Sequence, residues 1–188
     1  MVYIDENISE LDLAAALAEV SAQRREQALK FRFESGRRLS LAVYLLLKKA
    51  LWEEYGIMDN PVFGYQAGGK PFLIDYPDIH FSFSHSGHVA LCAISDQPVG
   101  ADVEVPRQVS PSLIRFTMND QEQAQIEASL NPTMQFFHFW TRKEALLKLT
   151  GEGIRNDMKM VLCETDGCHF ETIQTGDYIY SIVNHRKI

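Results

Sequence analysis

Apolar residues recur with helical spacing early in the chain: Leu13, Ala16, Leu17 and Val20 predict a helix over Leu11–Val20. The same period predicts a longer helix from about Gly36 to Tyr55, with Gly56 in the position that ends helices. Asn60-Pro61, Gly64, Gly68-Gly69 and Pro71 then break regular structure. Beyond them the period changes to two. Ile79, Phe81 and Phe83 alternate with His80, Ser82 and Ser84, the pattern of a half-buried strand. A turn at Ser86-Gly87 leads to a more continuously apolar strand, His88–Ser95, and Asp96–Pro98 turns the chain into a strand over Val99–Val105. The helical period returns in a polar segment, Asn119–Leu130, and in a stronger one, Phe136–Thr150, followed by Gly151. The tail Lys159–Val183 reads as strands with a hairpin at Asp166-Gly167. Strands in both halves with a long helix in each predict an α+β fold.

Composition narrows the class. The 188 residues are 46% hydrophobic, enough for a core in one domain or two small ones. A net charge of −7 argues against bulk nucleic-acid binding, which needs an extensive basic surface. The longest apolar-looking stretch, Leu39–Leu47, is too short to span a bilayer. The start of the chain, with Asp5 and Glu6, has no basic-then-apolar leader pattern. Three cysteines, Cys92, Cys163 and Cys168, form no CxxC and fit free thiols in a reducing compartment. A cytoplasmic protein outside the membrane is the expectation.

Three segments carry candidate chemistry. In Gly100-Ala101-Asp102-Val103-Glu104, a strand points Asp102 and Glu104 the same way. Two such carboxylates repel unless protons, basic neighbours or a cation compensate, and Mg²⁺ favours oxygen ligands of this kind. Alone, D-x-E is better explained by an exposed acidic strand face. In Trp140–Gly151, Trp140, Glu144 and Lys148 share one helical face. There a carboxylate completes a metal site or takes a proton, and a lysine one turn on neutralises phosphate. A surface Glu–Lys pair explains the same spacing, and Trp140 reads as packing. In Lys70-Pro71 followed by Phe81–Ser86, hydroxyls, turn amides and His85 make a phosphate-contact surface, or ordinary strand-end polarity. A Ser–His hydrolase is a poor alternative without a G-x-S-x-G elbow. Arg24, Arg25, Lys30, Arg32, Arg37 and Arg38 form a basic cluster suited to a polyanion or to a solvated helix face.

The ordered combination of Lys70-Pro71, F-S-F-S-H-S, G-A-D-V-E and W-T-R-K-E-A-L-L-K resembles the 4′-phosphopantetheinyl transferase superfamily. It is most similar to the surfactin-synthetase-activating type, whose patterns are FNLSHS, G-I-D-I-E and W-x-x-K-E-A-x-x-K. The resemblance runs from about Arg24 to Gly153; Ser82 replaces the asparagine, and Ala101 and Val103 replace the isoleucines. It implies two similar α+β halves forming a pseudo-dimer, residues 1–96 and 97–188, with coenzyme A (CoA) in the cleft between them. It further implies a monomer that moves the phosphopantetheine arm of CoA to a serine of an apo acyl or peptidyl carrier protein, leaving 3′,5′-ADP. Asp102, Glu104 and Glu144 resemble the ligands of Mg²⁺, with Mn²⁺ as an alternative. Glu144, Lys148 and Asp102 resemble the catalytic set, Glu144 taking the proton and Lys148 contacting phosphate. For CoA, Ser84 and His85 resemble the binding pair, with His85 near the 3′-phosphate, and Lys70 and Pro71 the loop beside adenine. Arg38, and less directly Arg24 and Arg25, resemble phosphate-gripping arginines. A CoA- or carrier-binding module without catalysis and an Mg²⁺-dependent phosphohydrolase are the rival functions.

Overall fold

A computed structural model describes residues 1–153, 155–163 and 165–185. Glu164 in the predicted tail and residues 186–188 of the second expected half lie outside them. The chain opens with strand β1 (Val2–Asp5) and a 3-10 turn. Two short helices, α1 (Leu13–Glu19) and α2 (Ala22–Leu29), precede the long α3 (Glu34–Tyr55). Asp12 caps α1 through the Ala14 and Ala15 amides, and Ser21 caps α2 through Arg24 N–H, so each orphaned N-terminus is satisfied locally. Gly56 ends α3 at φ 68°, a conformation open to glycine.

Helix α3 is buried on two sides. Leu47, Ala50 and Leu51 pack on a sheet with Phe81, Cys92 and Ile94, while Leu41 and Tyr44 pack on Ala16, Val20 and Ala28 of the covering helices. The sheet has the antiparallel order β1-β5-β4, with β4 at His80–Ser86 and β5 at Val89–Ser95. A separate small hairpin, β2 (Phe63–Tyr65) with β3 (Pro71–Leu73), carries the Gly68–Lys70 loop.

The plan then recurs. Strand β6 (Val99–Glu104) is followed by α4 (Pro111–Thr117), α5 (Asp120–Ala128), the long α6 (Pro132–Thr150) and the pair β7 (Cys168–Gln174) and β8 (Ile179–His185). Its sheet has the antiparallel order β6-β8-β7. In both sheets the strand that precedes the helices pairs with the last strand of the terminal hairpin. The sheet assignment thus divides between Ser95 and Val99.

The tail differs from expectation. Met158–Cys163 forms a 3-10 segment rather than a strand, and the β7–β8 hairpin turns at Thr175–Tyr178, not at Asp166-Gly167. The Asp-Gly pair lies instead just ahead of β7, where Gly167 takes φ 76°. The turn used is built by Thr175, whose hydroxyl accepts from the amides of Asp177 and Tyr178. No described helix is long and apolar enough to cross a membrane.

The two sheets meet through side chains. Val89, Leu91 and Ala93 of β5 pack with Val99, Ala101 and Val103 of β6. Tyr178 adds to that cluster and donates its hydroxyl to Glu6 at 2.5 Å, tying the second hairpin to the start of the chain.

Candidate active site

Strand β6 sends Val99, Ala101 and Val103 into the intersheet core, so Gly100, Asp102 and Glu104 face α6. Gly100 sets the spacing. A Cβ there would lie 2.0 Å from the Ala145 carbonyl oxygen and 2.6 Å from the Leu149 nitrogen, so the helix backbone rests directly on the strand. At that separation the Trp140–Glu144–Lys148 face of α6 reaches the acids of β6. The Trp140 indole N–H donates to Glu104 Oε1 at 3.2 Å, and Lys148 Nζ donates to Asp102 Oδ1 at 2.7 Å.

The other side of the acids is held by β4. Its three alternating serines meet successive groups of β6: Ser82 Oγ accepts from Ala101 N–H at 2.9 Å, and Ser84 Oγ donates to Asp102 Oδ1 at 2.7 Å. Ser86 Oγ donates to Glu104 Oε2 at 2.7 Å and accepts from Val105 N–H at 3.2 Å. Both β4 and β6 are sheet edges, and Ser82 and Ser86 serve the amides of Ala101 in β6 and Val105 just after it, which no neighbouring strand pairs. Arg107 adds an ion pair to Glu104 Oε2 at 2.7 Å.

Two oxygens are left over. Asp102 Oδ2 and Glu144 Oε1 are buried and have no hydrogen-bond partner. Burial raises the pKa of Asp102, against the opposing pull of the Lys148 ammonium and the Ser84 hydroxyl. Burial, then Asp102 and Glu104, push the Glu144 carboxyl up to about 7, with Lys148 opposing. An all-oxygen donor set with mutual repulsion and buried lone pairs unmet by any donor fits a hard divalent cation. Among the described residues no three acidic, histidine or cysteine side chains are already gathered around one point. Lys148 and the Trp140, Ser86 and Arg107 donors hold two of the acids in their present pairings.

The site opens into two chambers that share Phe83 and Lys148. One, of about 270 Å³, runs along Lys70, Pro71, Phe81, Glu144 and Gly151. The other, of about 570 Å³, is bounded by Arg24, Ser40, Tyr65, Ser84 and His85. Lys148 stands at the waist. In the larger chamber the Arg24 guanidinium lies over the Tyr44 ring at 5.5 Å and donates to the Ser40 carbonyl, while its buried Nε has no partner. His85 presents solvent-open surface, yet the cleft around it desolvates the imidazole, and with Lys148 and Arg24 nearby its pKa is held down. A neutral imidazole beside two cations gains a proton once an anion enters.

The sequence-predicted residues separate accordingly. Asp102, Glu104, Glu144 and Lys148 come together, and Ser84, His85 and Arg24 border the larger chamber. Ser84 has its hydroxyl on Asp102. Lys70 and Pro71 line the smaller chamber, but Lys70 Nζ is spent on the carbonyls of Leu149 at 2.8 Å and Val99 at 3.5 Å, at the C-terminus of α6. The Gly68 loop fits against that terminus so closely that a Cβ would lie 1.8 Å from the Gly151 oxygen. Arg38 and Arg25 border neither chamber. Arg38 pairs with Glu34 at 3.2 Å and bonds the Leu11 carbonyl, and Arg25 bonds the Leu17 carbonyl at 2.7 Å. Both brace helix joints.

Other contributors escaped sequence reasoning. Ser86 continues the alternation of Ser82 and Ser84, and that third hydroxyl was the available signal. Trp140 both packs, stacked on Phe136 at 5.9 Å, and orients Glu104. Lys143, the first lysine of the W-x-x-K-E-A-x-x-K pattern, has no role legible in sequence, because its partners are remote along the chain. It is fully buried and donates to Glu122 Oε2 at 2.8 Å and to the carbonyls of Thr117 at 2.9 Å and Met158 at 2.8 Å, fastening α4, α5 and the 3-10 segment to α6.

Fold and site together define an α+β protein with an oxygen-rich, cation-flanked cleft. Residues 98–186 match the model of the 4′-phosphopantetheinyl transferase superfamily. A 4′-phosphopantetheinyl transferase of Bacillus subtilis is 31% identical over 157 residues, covering 81% of this chain and 70% of that protein. The transferase HetI of Nostoc sp. is 33% identical over 181 residues, covering 90% and 75%, and Sfp of Bacillus subtilis strain 168 is 28% identical over 156 residues, covering 81% and 70%. The chain belongs to the 4′-phosphopantetheinyl transferase superfamily, in its surfactin-synthetase-activating type.

Proposed function

We propose that this protein transfers the 4′-phosphopantetheine group of CoA to a serine of an apo acyl or peptidyl carrier protein. The observation that carries the reading is the packing of α6 on β6, which sets Lys148 against Asp102, Trp140 against Glu104 and Glu144 within their field, with Lys148 bordering both chambers. In the reaction the carrier serine oxygen bonds to the phosphorus that bears pantetheine. The bond from that phosphorus to the bridging oxygen breaks, and its electron pair leaves with 3′,5′-ADP.

Asp102, Glu104 and Glu144 would hold Mg²⁺, or Mn²⁺ in its place, which supplies charge neutralisation at the diphosphate. Glu144, directly or through water, accepts the serine proton. Lys148 offsets charge on the phosphates from its position between the chambers. His85 and Arg24 supply positive charge for the 3′-phosphate, and Ser84 fixes Asp102. Lys70 and Pro71 form the wall proposed for the adenine, with the Lys70 charge acting on α6. The nucleophile comes from the partner, so no enzyme serine is consumed.

The recurrence of strand, two short helices, long helix and hairpin supports two halves, 1–96 and 97–188, as a pseudo-dimer with the site between them. One chain then provides both halves, and the working unit is a cytoplasmic monomer. The test is to incubate the protein with CoA, Mg²⁺ and an apo-carrier and to weigh the carrier. A phosphopantetheine-sized gain supports transfer, CoA breakdown without it supports hydrolysis, and no change leaves a binding module. Asp102→Ala should abolish the gain by at least about a hundredfold while the variant stays folded.

A further inference from the structure

Within the free protein the site is already occupied by a cation of its own. Lys148 Nζ sits 2.7 Å from Asp102 Oδ1, and the Asp102 side chain is almost wholly buried. Lys148 keeps about a third of its side chain exposed and borders both chambers, so its head group has somewhere to go. Asp102 Oδ2 and Glu144 Oε1 are buried and have no donor. An ammonium on Oδ1 neutralises one carboxylate, but being a monovalent point charge it leaves those lone pairs unmet.

We infer that Lys148 is a resident counter-ion that a divalent metal displaces from Asp102, so that metal entry frees the lysine for the incoming phosphate. The inference rests on the proposed metal site. Its consequence is coupling: a metal alone must remove an ammonium from a buried carboxylate, whereas an anion that takes up Lys148 lowers that cost. Each ligand then favours the other by the same factor. The exchange trades the Lys148–Asp102 hydrogen bond for coordination of Asp102 to the metal and changes no covalent bond.

The test is Mn²⁺ titration at pH 8, followed by electron paramagnetic resonance, with no CoA present. Wild type is compared with Lys148→Met, Lys148→Gln and the double variant Lys148→Met/Asp102→Asn. Lys148→Met should bind Mn²⁺ about tenfold more tightly than wild type, the size of a charged hydrogen bond of about 1.4 kcal/mol. Lys148→Gln, which still donates to Oδ1, should fall between them, and the double variant should lose the gain. In wild type, saturating Mn²⁺ should also raise labelling of Lys148 by an amine reagent several-fold, read on its peptide by mass spectrometry. Equal Mn²⁺ affinity in wild type and both single variants, or bound Mn²⁺ with unchanged Lys148 labelling, overturns the exchange and leaves the metal site standing. Absence of Mn²⁺ binding from every variant overturns both.

Discussion

Replacing Glu144 by glutamine keeps the shape of the side chain and removes its charge. In the folded protein the Glu144 carboxyl is pushed from 4.5 to about 7, first by burial and then by Asp102 and Glu104. A carboxyl whose folded pKa lies above its unfolded value contributes stability below about pH 4.5. That contribution is lost as pH rises through about 7, because the folded chain must release a proton it holds more tightly. At about 1.4 kcal/mol per tenfold shift the full penalty is ~3 kcal/mol at pH 8. The side chain keeps some contact with solvent, and screening reduces this to about 1–2 kcal/mol. Glu144→Gln should therefore melt roughly 2–8 °C above wild type at pH 8 in chelator, at about 2–4 °C per kcal/mol for a chain of this size. At pH 5, where folded Glu144 is protonated, the gap should shrink to about a few tenths of a kcal/mol. The same variant should lose transfer by about 10²- to 10⁴-fold. Paired thermal melts at the two pH values, with carrier mass as the activity readout, decide it. A Glu144→Gln melting temperature no higher than wild type at pH 8, or raised equally at both pH values, would refute the reasoning.

Gly100→Ala should lower stability by about 1–3 kcal/mol and slow transfer, since the new methyl meets the backbone of α6, which cannot yield as a side chain can. Thermal melting and carrier mass measure the two effects. Lys143→Ala should cost about 3–5 kcal/mol in denaturant unfolding, because it strands the Glu122 carboxylate, while Lys143→Met with Glu122→Leu should recover most of that loss. His85→Ala should raise the KM for CoA by about tenfold through one lost charge-assisted contact, and leave that for dephospho-CoA nearly unchanged. Equal losses for the two substrates would remove His85 from the 3′-phosphate.

The elements legible in advance were those whose signal is local. The Leu13–Val20 spacing and the Gly56 and Gly151 stops place three helices, and the Phe81/Phe83 alternation places β4. The hairpin at Asp166-Gly167 was misplaced because the Thr175 hydroxyl builds a turn as effectively as an Asp-Gly pair, and its pattern is weaker in sequence. The acids and Lys148 were legible because period two and period four put them on defined faces. Three parts were not. Lys143 depends on contacts with Thr117, Glu122 and Met158 that only packing brings close. Arg38 and Lys70 share a sequence neighbourhood with chamber residues, yet Arg38 ends on Glu34 and the Leu11 carbonyl, and Lys70 on backbone carbonyls. Gly100 reads in sequence as an ordinary strand residue, because its demand for space comes from α6 lying on it.

Had strands β4 and β6 paired through their backbones, the two sheets would form one continuous plate, and any change in their separation would break a ladder of amide bonds. Ser82, Ser84 and Ser86 make the joint instead. A hydroxyl turns about its Cβ–Oγ bond and accepts a new partner without moving the strand that bears it. The joint therefore behaves as a compliant gasket: it seals an edge amide and holds two carboxylates in register, yet lets the sheets part slightly without slipping.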